Sequence, residues 1–108
     1  MIAKIHQATL GNISEILKGE KPVIVDFWAN WCAPCHAVTP TLKKIAKKFQ
    51  DQVTVAKVDI DSNRDLASQF QITSLPTLVF FKSGKEWDRI TGAKKYSEIE
   101  KIVQKLIR

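Results

Sequence analysis

With 108 residues, the chain is long enough for one modest core and too short for two, so we expect a single domain spanning 1–108. Two cysteines are too few for a disulfide-stapled secreted scaffold, no run approaches the roughly 18 apolar residues that cross a membrane, and the first residues show no signal-peptide pattern. The formal net charge of +6 permits a partner with an acidic surface or nucleic acid, but it also fits simple solubility.

The first third of the chain alternates strand-like and helix-like segments. Residues 2–8 predict a short strand, and Asn12 with Glu15 forms a capping-box pattern for a short helix. Residues 23–28 are almost wholly apolar, which predicts a strand covered on both faces, as in the middle of an α/β sheet. Asp26 is the one residue that violates this apolar pattern.

A longer helix is predicted after the cysteines. From about Pro34, apolar residues recur at helical spacing as far as Phe49. Pro40 lies inside this run, where we expect a kink and not an end. The opposite side of the helix carries four lysines, Lys43, Lys44, Lys47 and Lys48. Because a charge run is usually a solvated face, we expect no nucleic-acid partner.

The remaining elements continue the alternation. Residues 53–60 predict a strand, and Ser62 with Asp65 forms a capping box for a short helix. After these come a strand at 78–81, a turn at Ser83-Gly84, an antiparallel strand at 87–91 and a helix at 96–106. The order β-α-β-α-β-α-β-β-α predicts an α/β protein with helices on both sides of one sheet.

Both cysteines lie between the strand at 23–28 and the long helix. Cys32 and Cys35 stand three residues apart, and the first turn of a helix supplies the geometry for a small disulfide ring. Free N–H groups and the helix dipole at that end favour the thiolate of Cys32, whereas Cys35 is covered by its own helix. A thiolate beside a second thiol is the minimum requirement for thiol–disulfide exchange. We therefore predict that Cys32 is the nucleophile and Cys35 the resolving thiol.

Two metal-binding alternatives use the same segment. Residues 32–36 match the C-x-x-C-H pattern of haem attachment, but the chain has no methionine after Met1 to serve as a sixth ligand. A zinc site would need both cysteines with His36 or His6, ligands that the spacing does not obviously bring together. We therefore expect no metal.

The block VIVDFWANWCAPCHAVTP and the later Thr73-Ser74-Leu75-Pro76-Thr77 closely resemble the thioredoxin family, over about residues 2–107. The resemblance implies a three-layer α/β/α thioredoxin fold with a central mixed β-sheet. It also implies a protein disulfide reductase that works through a Cys32–Cys35 disulfide and needs no other cofactor. Electrons would come from NADPH through a thioredoxin reductase and pass to disulfide-containing target proteins. Such a protein would be a cytoplasmic monomer with no membrane partner.

The resemblance also implies roles for residues outside the cysteine pair. Asp26, a buried acid whose pKa should be raised, would manage protons for Cys35, and Lys57 on the next strand would tune it. The alternative is that Asp26 is only structural. Pro34 at the helix start and Pro76 as a cis-proline would complete the catalytic set. The substrate-binding rim would comprise Trp31, Ala33, Leu75, Pro76, Gly92 and Ala93.

The chain departs from the family pattern at three positions. Ala33 replaces a glycine, His36 replaces a lysine or arginine, and Ser74 replaces a common glycine. His36 lies on the same helix face as Cys32, so its imidazole could approach and tune that sulfur, although a solvated surface histidine is the simpler interpretation. Two alternatives to a reductase stay open: an oxidase or isomerase of the same fold, and a binding subunit whose basic surface contacts a partner.

Overall fold

The computed structural model describes residues 4–108, so Ile2, where the first strand was predicted to begin, lies outside the described residues. The elements in chain order are β1 (Ile5–Gln7), α1 (Ile13–Leu17), β2 (Val23–Trp28), α2 (Ala33–Lys48), β3 (Thr54–Asp59), α3 (Arg64–Gln69), β4 (Thr77–Lys82), β5 (Lys85–Thr91) and α4 (Tyr96–Leu106). This order confirms the alternation predicted from the sequence.

The five strands form one mixed sheet in the order β1-β3-β2-β4-β5. Strand β2 is central, parallel to β3 on one side and antiparallel to β4 on the other. Strand β1 pairs parallel to β3 at one edge, and β5 pairs antiparallel to β4 at the other. The central position of β2 explains its apolar sequence, because residues 23–27 are buried on both faces of the sheet.

Alternate side chains of β2 divide the core between two helical layers. Ile24 packs with the apolar faces of α2 and α4, whereas Val23 and Phe27 pack with α1 and α3. The sheet therefore lies between two helix pairs, which is the three-layer α/β/α arrangement that was predicted. Asp26 and Trp28 are in step with Ile24, so they lie on the side of the sheet that α2 and α4 cover.

Helix α2 continues through its internal proline, as predicted. It begins at Ala33, passes Pro40 and ends at Lys48. Val38 and Leu42 on its inner face are fully buried. The four lysines on its outer face are exposed, which agrees with a solvated surface. The helix thus carries its apolar stripe from the cysteines to the far end of the sheet.

The two predicted capping boxes are wrong. Asn12 stands at the N-cap of α1, but its side chain makes no cap hydrogen bond; its Oδ1 accepts from the Thr9 N–H at 2.7 Å. Helix α3 begins after Asn63 and not after Ser62, and the Asn63 side chain donates to the Asp59 carbonyl oxygen at 3.0 Å. Both asparagines bind the preceding loop, because short polar side chains have several local backbone partners.

Candidate active site

Cys32 and Cys35 form a disulfide at the start of α2, with their Cα atoms 5.3 Å apart. Cys32 is the N-cap residue, and Pro34 lies in the first turn, where its missing N–H costs no helical hydrogen bond. The Cys35 N–H donates to the Cys32 Sγ at 3.3 Å. Cys32 is 6% exposed and Cys35 is 1% exposed. Cys32, whose sulfur caps the helix, is therefore the more exposed residue of the pair.

Asp26 lies in β2, beneath the layer of α2 and α4. It is fully buried, and neither carboxyl oxygen has a hydrogen-bond partner among the described residues. Burial raises the pKa of Asp26 from 3.8 to about 7, and the positive charge of Lys57 limits this rise. The carboxyl group can therefore gain or lose a proton near neutral pH.

Lys57 occupies the register position opposite Asp26 on β3. Its Nζ donates to the Thr39 hydroxyl at 3.3 Å and lies 4.6 Å from the centre of the Trp28 ring. The cation is thus held over an aromatic face and beside α2, and it influences Asp26 through charge.

Thr39 connects Lys57 to the helix turn that carries the disulfide. Its hydroxyl accepts from Lys57 and donates to the Cys35 carbonyl oxygen at 3.4 Å. Thr39 was not identifiable as a site residue from its sequence context. The only available signal was its position four residues after Cys35, where a threonine hydroxyl can reach the carbonyl of the preceding turn.

A cleft of about 430 Å³ opens beside Cys32. Three chain segments line it, with the residues Trp31, Cys32, Ala33, Pro34, Ile60, Ile72, Thr73, Ser74 and Leu75. These residues are mostly apolar and none is charged. Of the predicted rim, Trp31, Ala33 and Leu75 line this cleft. Ile60 and Ile72 were missed, since an isoleucine carries no functional signal in sequence. Thr73 and Ser74 belong to the segment 73–77 that marked the site, but neither was placed in the predicted rim.

The rest of the predicted rim lies next to the cleft lining. Pro76 follows Leu75 through a cis peptide bond and is buried. The Gly92 N–H donates to the Pro76 carbonyl oxygen at 2.9 Å, with Gly92 at a φ of +88° that favours glycine. Gly92 and the exposed Ala93 that follows it are therefore placed alongside Pro76 and not in the cleft wall.

Trp31 is 69% exposed, yet its indole is fixed in position. Its Nε1 donates to Asp61 Oδ2 at 3.0 Å. Asp61 was also missed, because it lies thirty positions further along the chain and nothing local connects it to Trp31. An exposed but anchored aromatic ring at the mouth of a cleft is suited to contacting another protein.

His36 contacts the loop that precedes the disulfide. Its Nε2 lies 2.7 Å from the Asn30 carbonyl oxygen, and its ring packs edge-on against Trp28 with centroids 6.1 Å apart. The sequence left two interpretations open, a solvated surface histidine as the simpler one and an imidazole that approaches the Cys32 sulfur, and His36 is exposed. The observed hydrogen bond is made instead to a carbonyl two residues before that cysteine. His36 is therefore placed to act on the loop that carries Cys32.

Residues 4–108 contain neither a cluster of metal ligands nor a membrane-crossing helix. In this range no three His, Cys, Asp or Glu side chains converge as the ligands of a metal ion would. The same described range contains no helix that is long and apolar enough to cross a membrane.

Comparison with known proteins identifies the family. The Thioredoxin family model matches residues 4–105. The thioredoxin of Mycobacterium tuberculosis H37Rv is 49% identical over 81 residues, which are 75% of this chain and 70% of the relative. The thioredoxin of Alicyclobacillus acidocaldarius is 42% identical over 92 residues, or 85% of this chain and 88% of the relative.

A longer relative and a solved structure extend the comparison. The bifunctional thioredoxin reductase/thioredoxin of Mycobacterium leprae is 48% identical over 81 residues, and this chain spans only 18% of that protein's length. The crystal structure of Malassezia sympodialis thioredoxin matches with a TM-score of 0.90 at 30% identity, over 98% of this chain and 93% of the other. The chain therefore belongs to the thioredoxin family of thiol–disulfide oxidoreductases.

Proposed function

We propose that this protein reduces disulfides in target proteins, with Cys32 as the nucleophile and Cys35 as the resolving thiol. The position of the Cys32 sulfur is the observation that carries the proposal. It caps the N-terminus of α2, accepts the Cys35 N–H and borders the apolar cleft. The unpaired N–H groups and the dipole at this helix end favour a thiolate over a thiol.

The proposed reaction has two exchange steps. In the reduced protein, the Cys32 thiolate attacks one sulfur of a target disulfide, and the second target sulfur leaves as a thiolate that takes up a proton. Cys35 then loses its proton and attacks the Cys32 sulfur, which forms the Cys32–Cys35 disulfide and releases the first target sulfur as a thiol. Two electrons have passed from the protein to the target.

The second step requires a group that removes the Cys35 proton, and we assign this to Asp26. Its pKa near 7 suits proton transfer at neutral pH, and it lies beneath the helix layer that contains Cys35. Lys57 tunes Asp26 because its charge favours the ionised carboxylate. Pro34 fixes the helix start between the two cysteines.

The cleft beside Cys32 is proposed to bind the target segment that contains the disulfide. Its uncharged lining favours apolar target residues, and the anchored Trp31 ring provides contact area at its mouth. We assign substrate contacts to the predicted rim, Trp31, Ala33, Leu75, Pro76, Gly92 and Ala93.

A thioredoxin reductase that draws electrons from NADPH is the proposed partner that returns the protein to its dithiol form. The Mycobacterium leprae relative, whose name joins both activities in one chain, supports this partner. In this proposal the Cys32–Cys35 disulfide itself carries the electrons, without a cofactor or metal. We place the cycle in the cytoplasm, where thiols are kept reduced, and propose that the monomer acts on proteins and not on nucleic acid or membranes.

Insulin reduction tests this proposal. With dithiothreitol as the electron donor, wild-type protein should accelerate insulin precipitation, and Cys32→Ser should give only the uncatalysed rate. Lys101→Gln, an exposed change on α4, serves as the control and should match wild type. Wild-type protein that accelerates nothing would contradict the reductase assignment. Adding the organism's own reductase and NADPH in place of dithiothreitol then tests the proposed partner.

A further inference from the structure

The Arg89 side chain joins strand β5 to the end of α3. Its Nε and Nη2 donate to the two carboxylate oxygens of Glu86, each at 2.7 Å, which makes a bidentate ion pair within β5. The same Nη2 donates to the Phe70 carbonyl oxygen at 2.9 Å, and Nη1 donates to the Gln71 carbonyl oxygen at 3.4 Å. A side chain of the edge strand thus holds the chain where it leaves α3.

The end of α3 has a backbone conformation that needs such support. Gln71 has a φ of +54°, in the left-handed region that favours glycine. The Gln71 N–H donates to the Ser68 carbonyl oxygen, and the Ile72 N–H donates to the Ala67 carbonyl oxygen. These two bonds end the helix. The carbonyl oxygens of Phe70 and Gln71 accept from the Arg89 guanidinium. A cation at this end is also favoured by the helix dipole.

The residues that follow Gln71 form one wall of the cleft beside Cys32. Residues 72–75 line it, and the far end of this wall is held where the Thr77 hydroxyl donates to the Ser74 carbonyl oxygen at 2.6 Å. Arg89 holds the near end. The guanidinium is therefore the fixed point from which the wall begins, although it does not line the cleft itself.

We propose that Arg89, oriented by Glu86, is a positioning residue that sets the geometry of the cleft wall 72–75 and thereby the affinity for target proteins. This inference rests on the proposed function, in which the cleft binds the target. The thiol chemistry should not depend on Arg89, because its hydrogen bonds among the described residues go to Glu86, Phe70 and Gln71 and not to the α2 turn that carries both cysteines. Leu75 is the wall residue that packs against that turn. The planar fork of arginine can bind Glu86 and two carbonyls together, whereas the single ammonium of a lysine cannot.

A role in stability alone is the competing interpretation. The side chains of Arg89 and Glu86 are 31% and 37% exposed. Ion pairs that are this exposed contribute little to stability, so the free energy of unfolding should change little when the fork is lost. A positioning role instead predicts a local change in the wall and a change in KM.

The test compares Arg89→Lys and Glu86→Gln with wild type, and uses Lys101→Gln as the control for a lost surface charge. Amide hydrogen exchange at residues 72–75 should accelerate in Arg89→Lys and, to a smaller extent, in Glu86→Gln, while β2 and the control stay unchanged. The KM for insulin should rise roughly three- to ten-fold, within the hundred-fold that a misplaced binding element can cost. The kcat, the reduction of a small aromatic disulfide and the glutathione midpoint should match wild type.

Each outcome decides between the interpretations. Unchanged exchange at residues 72–75 overturns the positioning role whatever the activity is. Faster exchange with an unchanged KM overturns the link to affinity, and an altered glutathione midpoint overturns the separation from the thiol chemistry. Wild-type protein that reduces no insulin overturns the proposed function and, with it, the affinity part of this inference. A variant that fails to fold, judged by its melting curve, would show that Arg89 is structural.

Discussion

Lys57 lies opposite Asp26 on adjacent parallel strands, yet its ammonium donates to the Thr39 hydroxyl and makes no hydrogen bond with the carboxyl group. Both Asp26 oxygens are therefore without a hydrogen-bond partner in the described part of the chain. Burial then dominates over the charge of Lys57 and raises the pKa of Asp26 to about 7. The chain thus holds a proton-exchanging group under the active-site helix, at a cost in stability.

Replacing this carboxyl group should stabilise the fold. Asp26→Asn is expected to raise the free energy of unfolding by about 1–4 kcal/mol at pH 8, because a buried, poorly paired charge is removed. Because folding raises the pKa of Asp26, ionising this carboxyl group lowers the stability of the wild-type fold. This loss of stability is absent below about pH 4, grows as the pH rises and is complete above about pH 7. Urea unfolding of the oxidised protein from pH 4 to 8 measures the difference.

Asp51→Asn is the matched control, because Asp51 is exposed. It should leave the pH dependence of stability close to wild type. The same Asp26→Asn variant should also release the mixed disulfide more slowly, since Cys35 loses its proton acceptor. A destabilised variant with full activity would contradict both the energetic and the catalytic assignment.

Lys57→Met should raise the pKa of Asp26 further. The ammonium favours the ionised carboxylate, so removing its charge leaves the effect of burial uncompensated. The titration of the Asp26 carboxyl, followed by NMR in the oxidised protein, should move to a higher pH than in wild type. An unmoved or lowered titration would show that Lys57 does not act on Asp26 through charge.

The two cysteines should differ when each is replaced. Cys35→Ser should accumulate a mixed disulfide with a target protein, because Cys32 can attack but nothing displaces the target. Cys32→Ser should form none, since its remaining thiol is the 1%-exposed Cys35. Mass spectrometry after alkylation counts the trapped species. Equal trapping by both variants would contradict the assignment of Cys32 as nucleophile and Cys35 as resolving thiol.

His36→Gln tests whether the histidine at the start of α2 tunes the redox site. The His36 ring bonds the Asn30 carbonyl oxygen and packs against Trp28, so it supports the loop that carries Cys32. The glutathione equilibria of wild type and variant should therefore differ, because the loop that positions the Cys32 sulfur loses this support in the variant. A ten-fold change in this equilibrium corresponds to roughly 30 mV. Superimposable curves would show that His36 does not tune the redox site, and Ala33 would be the remaining candidate for that role.

Much of the fold could be predicted from the sequence because burial leaves a periodic pattern. The apolar run at residues 23–28 and the helical spacing at residues 96–106 gave β2 and α4 with their observed bounds. The helix caps could not be predicted in the same way. Asn12 and Asn63 each choose among several nearby backbone groups, and only the folded loop decides which one is bound.

Some residues of the candidate site could be identified from the sequence and others could not. Cys32, Cys35 and Asp26 were identifiable because a thiol pair at a helix start and an acid in an apolar strand are chemically conspicuous. Asp61 and Arg89 were not, since their partners lie 30 and 19 positions away and meet them only after folding. Sequence therefore indicates the reacting groups, whereas the contacts that position them become visible in the structure.

The equilibrium of the Cys32–Cys35 pair with a glutathione redox buffer tests the central claim most directly. A protein disulfide reductase should show a reducing midpoint, nearer to the general thioredoxin value of about −270 mV than to the roughly −180 and −120 mV of protein disulfide isomerase and DsbA. The account predicts a single two-electron transition in that reducing range, absent from Cys32→Ser. A midpoint at or above about −180 mV would contradict it in favour of an oxidase or isomerase, and a pair that does not titrate would contradict it in favour of a binding subunit.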